Sequence, residues 1–222
     1  MTYSLIEVFN EMSQEYLAPY FKLKGFKKQN FNFYKEQNGL IFLINFQKYR
    51  HNSVDYVAFF INCGIYCVEL EQIVGAEIEV KPKEYDCLFN ERFERITGFP
   101  KQAFELLESS DAGKKQLAET VITELDKVLT FFEPIKSVDD LVTLCIHRGS
   151  FFYEKIFKYL CIKNDLVQLE AYFQKFGNTF KDDDRYLFFQ SRLNDILREN
   201  GVAEMTFKAK MSVPFELQRP PN

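Results

Sequence analysis

Alternating apolar and polar positions are concentrated in one stretch of the chain, residues 30–67. The alternation has the period of two that is typical of β-strands, and it predicts three antiparallel strands. Between the first two strands, Asn38-Gly39 supplies the two positive-φ residues that a tight primed hairpin turn requires. The predicted strands are Phe31–Glu36, Leu40–Lys48 and Val54–Tyr66.

The turn also sets the register of the hairpin. If Gln37 and Leu40 flank the turn, Asn32 faces Asn45. Because successive side chains of a strand alternate between faces, the predicted sheet has two different sides. One is almost purely apolar: Phe31, Phe33, Phe42, Ile44, Phe46, Val57, Phe59, Ile61, Cys63 and Ile65. The other, which we call the mixed face, combines amides with rings and aliphatic groups: Asn32, Tyr34, Ile41, Leu43, Asn45, Gln47, Tyr56, Ala58, Phe60, Asn62 and Gly64.

Two interpretations of the mixed face are open. It is either a solvated sheet face or second packing layer with hydrogen-bonded amides, or an aromatic and amide platform for a ligand or partner. In the second interpretation the candidate binding residues are Tyr34, Asn45, Gln47, Tyr56 and Asn62.

Helical periodicity flanks the sheet. Ser4 and Glu7 form a capping box, and the helix after it has an apolar stripe that would lie across the apolar face. A long amphipathic helix is predicted at residues 113–132, ended by Pro134. The expected fold is α+β: an antiparallel sheet of three to five strands with an N-terminal helix and a long helix packed on it, followed by a C-terminal all-helical segment.

The chain after Pro134 predicts four more helices. Gly177 and Gly201 are expected just past the ends of the last two. The predicted helices run from Ser137 to His147, from Phe151 to Ile162, from Asp165 to Phe176 and from Asp183 to Asn200. The expected domains are an α+β domain at 1–135, a helical segment at 136–202 and an extended tail at 203–222, in which residues 206–211 could add an edge strand. The helices either cover the mixed face or form a separate subdomain.

Composition limits the class of protein, the partners and the cellular compartment that fit this chain. A chain of 222 residues is long enough for a real core, and 17% aromatic residues, with 25 Phe, 12 Tyr and no Trp, predict that rings fill it. A net charge of −4 without a basic cluster argues against a nucleic-acid partner. Five scattered cysteines, no long apolar run and no signal-like start predict a cytoplasmic protein with reduced thiols and no membrane span.

The positions of the histidines and cysteines give little support for a catalytic site or a metal site. The only histidines, His51 and His147, lie in no recognisable catalytic context. Cys63 and Cys67 would lie on one face of a strand, about 13 Å apart, too far apart to share a metal. We therefore expect no catalytic residues, no metal and no cofactor.

Cationic groups are the remaining candidates. Lys48, Arg50 and His51 would place up to three cationic donors at one end of the sheet, either as an anion site or as a solvated loop tip. Arg92, in a strand predicted over residues 85–96, could bind a carboxylate in bidentate fashion. Its alternative role is an ion pair with Glu91, Glu94 or Asp86.

The order of these features resembles the bacterial domain-of-unknown-function family 4304 over about residues 4–135. The resemblance implies an α+β domain from a bacterium and brings no established reaction, cofactor or catalytic residue; an immunity or interaction role is associated with such small domains. The usual ending of the last strand is altered at residues 96–99. The resemblance rests on Leu17-Ala18-Pro19, Gly25-Phe26-Lys27-Lys28, Phe33-Tyr34, the segment Asn45 to Ser53, Asn62 to Ile65, and Cys87 with Arg92-Phe93 and Ile96.

Two functions are therefore considered. The first is a non-enzymatic, immunity-like protein of the bacterial cytosol that holds an acidic partner protein with the mixed face and the basic loop. The alternative is a small-ligand-binding protein or enzyme with a pocket between the sheet and the C-terminal helices, lined by Asn45, Asn62, Arg92 and Tyr56. The sequence specifies no oligomeric state.

Overall fold

The computed structural model describes residues 4–208. The chain divides into two compact units, Met1–Phe152 and Tyr153–Asn222. The domain boundary that the sequence predicts after residue 135 stays a prediction. In the division above, the helix at residues 138–148 belongs to the same unit as the sheet. Within residues 4–208, no helix is both long enough and apolar enough to cross a bilayer.

The first unit is built on an antiparallel sheet of six strands, in the order β1-β2-β3-β4-β5. The sixth strand, β6, pairs with the first residues of β4, and β5 pairs with later residues along the same edge of β4. The α+β class is confirmed, with one strand more than the upper limit expected. The strands are β1 (Lys27–Gln29), β2 (Asn32–Gln37), β3 (Leu40–Lys48), β4 (Val57–Cys67), β5 (Phe89–Arg92) and β6 (Phe104–Leu106).

The predicted hairpin turn and its register are confirmed. Asn38 and Gly39 have φ angles of 54° and 76°, as a primed turn requires. Asn32 pairs with Asn45 across β2 and β3, and Asn45 pairs in turn with Asn62 of β4. The two faces therefore have the composition that the alternation predicts.

Among residues 4–152, the first unit contains six helices: α1 (Leu5–Met12), α2 (Ala18–Leu23), α3 (Val68–Val74), α4 (Phe93–Thr97), α5 (Asp111–Phe132) and α6 (Val138–Arg148). The capping box at Ser4 is present, with Oγ accepting from the N–H of Ile6 and the Ser4 N–H donating to Glu7. A π-helical turn, Ser13–Leu17, joins α1 to α2. It accommodates an extra residue in the helix and buries both of its ends.

Aromatic rings join the helices to the apolar face. The ring of Phe9 on α1 lies 4.8 Å from that of Phe59, and Phe132 at the end of α5 lies 5.2 Å from Phe42. Such pairs add about 0.5–1.5 kcal/mol to the burial of their area. Both predicted helices thus pack on the predicted side of the sheet.

The segment predicted as a single strand over residues 85–96 is divided. A 3₁₀ turn at Glu84–Asp86 precedes β5, and the chain after Arg92 forms α4. The helix ends at Gly98, whose φ of 74° is in the left-handed region. The strand prediction is therefore wrong before Phe89 and beyond Arg92.

The second unit contains α7 (Tyr153–Ile162), α8 (Leu166–Phe180) and α9 (Tyr186–Glu199). Gly201 has a φ of 72° after the last helix, as predicted. The prediction for Gly177 is wrong, since this residue lies inside α8 and faces the Phe207 ring. Residues 206–208 form no strand but hydrogen-bond to Gln174 and Gln190; the rest of the predicted edge strand lies outside the described residues.

Candidate binding face

The mixed face divides into two halves. In the first, Leu43, Tyr66 and Cys87 form a buried cluster with Tyr34, Ile41 and Val68 packed against it. The chain after α3 covers this half: Tyr66 Oη accepts from the N–H of Glu79 at 2.9 Å. This covered half is the second packing layer considered from the sequence.

The other half carries a chain of hydrogen-bonded amides. Asn45 Nδ2 donates to Asn32 Oδ1 at 2.7 Å. Asn62 Nδ2 donates both to Asn45 Oδ1 at 2.8 Å and to Gln47 Oε1 at 3.2 Å. We call this region, completed by Phe60, Arg92, Tyr49 and Tyr56, the polar half.

The direction of these hydrogen bonds leaves N–H donors at the two ends of the row of amides. The side-chain oxygens of Asn32, Asn45 and Gln47 are used internally. Within the described part of the chain, the NH₂ groups of Asn32 and Gln47 have no acceptor, and Gln47 is exposed. The amides therefore hold each other in place and offer N–H groups to an outside acceptor.

Arg92 stands beside this amide chain. It pairs with Asn62 across β4 and β5, and its guanidinium carbon lies 4.4 Å from the centre of the Phe60 ring. Its Nη1 is inaccessible to solvent and has no hydrogen-bond partner. Among residues 4–208, no carboxylate lies within 4.0 Å of this guanidinium, so the ion pairs considered from the sequence are not formed.

Aromatic side chains extend the polar half toward the β3–β4 loop. The Tyr49 ring lies 6.2 Å from Phe60 and 5.2 Å from the His51 imidazole. Tyr56 Oη donates to Glu105 at 2.9 Å, and this hydrogen bond raises the pKa of the phenol. The imidazole is held as well, because Arg50 Nε donates to its Nε2 at 2.8 Å.

The structure does not bring all the predicted site residues together. Tyr34 lies in the covered half, where burial raises its pKa. Lys48 points to the apolar side, with Nζ 3.2 Å from Asn10 Oδ1 and 4.2 Å from the Phe31 ring centre, and burial lowers its pKa. The predicted residues that share the polar half or its aromatic extension are Asn45, Gln47, Tyr56, Asn62, Arg92, Arg50 and His51.

Sequence reasoning left three members of the polar half out of the site. Asn32 was identifiable, because the hairpin register pairs it with Asn45. The alternation also placed Phe60 on the mixed face, but its contact with Arg92 depends on where β5 lies. Tyr49, just after the second predicted strand, gave no signal.

The cysteines are not arranged for nucleophilic chemistry. All five are free and buried, and burial raises the pKa of Cys63 and Cys87, which disfavours the thiolate. In the described range, no group of three or more His, Cys, Asp and Glu side chains converges as metal ligands. The polar half offers donors, ring faces and one positive charge.

Comparison with known proteins identifies the domain that carries this face. The family model "Domain of unknown function (DUF4304)" matches residues 17–134. The chain belongs to the DUF4304 family. The match confirms the resemblance drawn from the sequence, and it contains all six strands of the sheet. Searches of the curated proteins and of the solved structures gave no match.

Proposed function

We propose that this DUF4304 protein is a non-enzymatic binding protein that holds an acidic segment of a partner protein on the polar half. The observation that carries the proposal is the unpaired Arg92 guanidinium. Because Nη1 is closed to solvent, an incoming carboxylate would meet the other nitrogens of this half-buried side chain, which has no carboxylate partner among residues 4–208. The nearby Phe60 ring limits the movement of the guanidinium, so that the contact needs little reorganisation.

The neighbouring groups support the same ligand chemistry. The free NH₂ groups of Asn32 and Gln47 donate to carboxylate or peptide oxygens, and the rings of Tyr49 and Tyr56 provide rigid apolar contact area. Aromatic residues and arginine are the side chains that dominate protein interfaces. We therefore favour a protein partner over the small-ligand or enzymatic pocket lined by Asn45, Asn62, Arg92 and Tyr56.

The proposed setting is a bacterial cytoplasm. Five free, buried thiols are typical of a reducing compartment, and the resemblance noted in the sequence is the reason for proposing a bacterial origin. In an immunity-like role, occupying an acidic surface of the partner would be sufficient to inhibit it.

The test uses side-chain amides as reporters. An oligoglutamate peptide is titrated into the ¹⁵N-labelled protein, and the NH₂ signals of Asn32, Asn45, Gln47 and Asn62 are followed. We expect these signals to shift, and Arg92→Gln to weaken binding by roughly 10-fold or more, because a hydrogen bond to a charged group contributes about 1.5–3 kcal/mol.

Arg95→Gln is the matched control, since this arginine is exposed on α4 and lies outside the polar half. It should leave the affinity for oligoglutamate unchanged, and an oligolysine peptide should not shift the amide signals. Equal losses in both variants, or shifts confined to other residues, would contradict the proposal. Co-purification of partners from a bacterial lysate with the same two variants extends the comparison to the natural ligand.

A further inference from the structure

A concave site lies in the first unit, apart from the polar half, between the last turns of α5 and the β1–β3 side of the sheet. Its volume is about 460 Å³, within the 300–1,000 Å³ that is typical of small-molecule sites. It shares no residue with the polar half. Its lining includes Lys35, Phe42, Asp126, Phe132, Glu133 and Lys136.

The floor of this cleft is apolar. Phe26, Phe42, Phe132 and Ile135 line it, and all four are at least nine-tenths buried. Because little of these side chains is exposed, most of the apolar surface that binding removes from water belongs to the hydrocarbon or ring part of the ligand, at about 25 cal/mol for each Å². It gives no reason to bind a fully polar molecule.

The rim of the cleft is positively charged. Three lysines stand against two carboxylates, Asp126 and Glu133, which leaves a net charge of +1. Lys24 is neutralised by Asp126, at 3.0 Å. In the part of the chain that the structure describes, neither Lys35 Nζ nor Lys136 Nζ has a carboxylate within 4.0 Å.

Lys35 occupies an unusual register position. The alternation of β2 places it on the apolar face, directly opposite Phe42, and its Nζ lies 5.9 Å from the centre of the Phe26 ring. A lysine at such a position covers apolar surface with its methylenes and keeps its charge at the opening. Lys136 follows α5, and its backbone N–H, rather than its ammonium group, contacts Asp140.

We propose that this cleft binds a small amphipathic anion, with its apolar body on the aromatic floor and a single carboxylate or phosphate held by Lys35 and Lys136. Cationic ligands are disfavoured by the net charge of +1 on the rim, and a neutral apolar ligand would gain nothing from that charge. The site is independent of partner binding, because it lies on the other side of the sheet from the polar half.

The experiment titrates hexanoate, hexyl phosphate and hexan-1-ol, each up to about 5 mM, into the ¹⁵N-labelled full chain. We expect hexanoate or hexyl phosphate to bind with shifts at Phe42, Thr130 and Glu133, and the stronger of the two identifies the head group. Hexan-1-ol should bind at least 5-fold more weakly. Equal binding of the alcohol, or no binding of either anion, would overturn the proposal.

Substitutions test whether Lys35 and Lys136 hold the anionic group of the ligand. Lys35→Ala and Lys136→Ala should each weaken binding of the anion by roughly 5- to 20-fold, about the value of one charge-assisted contact. Lys136→Glu should weaken it further. Lys27→Ala is the matched control, because Lys27 lies on the neighbouring strand β1, opposite Tyr34 on the other face. A loss in Lys27→Ala as large as that in Lys35→Ala would refute the assignment, whatever the outcome of the oligoglutamate titration.

Discussion

Gly64 provides the space that allows the covered half of the mixed face to form. Its position on β4 faces Cys87, and a Cβ atom built at residue 64 would lie 2.6 Å from the Cys87 sulfur. No real contact between these atoms is that short, so any larger residue must displace the covering chain. The identity of one residue on a central strand therefore decides how closely the loop can pack.

Gly64→Ala should lower the free energy of unfolding by about 1–3 kcal/mol, the usual cost of overpacking a core. Urea unfolding followed by circular dichroism measures the change. Cys87→Ala removes the clashing sulfur, so the double variant should recover part of the loss. Additive losses in the two variants would show that the contact is not the cause.

At the scale of elements, Lys114 connects α5 to the N-terminal helix. Its side chain is only 7% exposed, and its Nζ lies 2.9 Å from Glu15 and 3.2 Å from Glu11. Asp111, one turn earlier on α5, is 3.3 Å away. These carboxylates raise the pKa of the lysine, the hydrogen bond to Glu15 being the largest cause.

Lys114→Ala should destabilise the first unit by about 1–2 kcal/mol, a modest value because the partner carboxylates are about half exposed or more. Lys115→Ala is the control, since Lys115 is exposed and its ion pair with Glu119 spans 3.8 Å. Its effect should stay within about 0.5 kcal/mol in the same urea experiment. Equal effects of the two substitutions would exclude the connecting role.

Elements set by local patterns were predictable, and those set by distant contacts were not. Asn38-Gly39 fixes the hairpin through backbone conformation alone, and α5 follows from apolar spacing. Strands β1 and β6 have three residues each and are stabilised by pairing with β2 and β4, so no period in the sequence reveals them. The same holds for the candidate site. The row of amides was predictable because it lies within the hairpin and β4, whereas the contact of Arg92 with Phe60 was not, because it depends on the position of β5.

At the scale of the whole molecule, the chain divides into two compact units that contain different thiols. Cys63, Cys67, Cys87 and Cys145 belong to the first unit, and Cys161 belongs to the second. Domains with their own cores can unfold independently. The cysteines therefore report on each unit without any engineered label.

In the native protein all five thiols should resist a thiol reagent, because burial protects them and raises their pKa, that of Cys161 to about 11. With increasing urea, pulse labelling read by mass spectrometry should modify Cys161 at a different denaturant concentration from the other four. A single coincident transition would show that the two units unfold as one.

The π-helical turn at Ser13–Leu17 determines how this part of the chain responds to the deletion of one residue. An α-helix advances about 100° per residue, so deleting one residue from this turn would restore ordinary helical winding. Because the wider turn absorbs the extra residue locally, this deletion would leave Phe9 and Met12 facing the core in which both are now buried. A deletion inside α1 itself would rotate the residues before it by that angle. Loss of a single codon within the π-helical turn should therefore be less damaging than loss of one from α1.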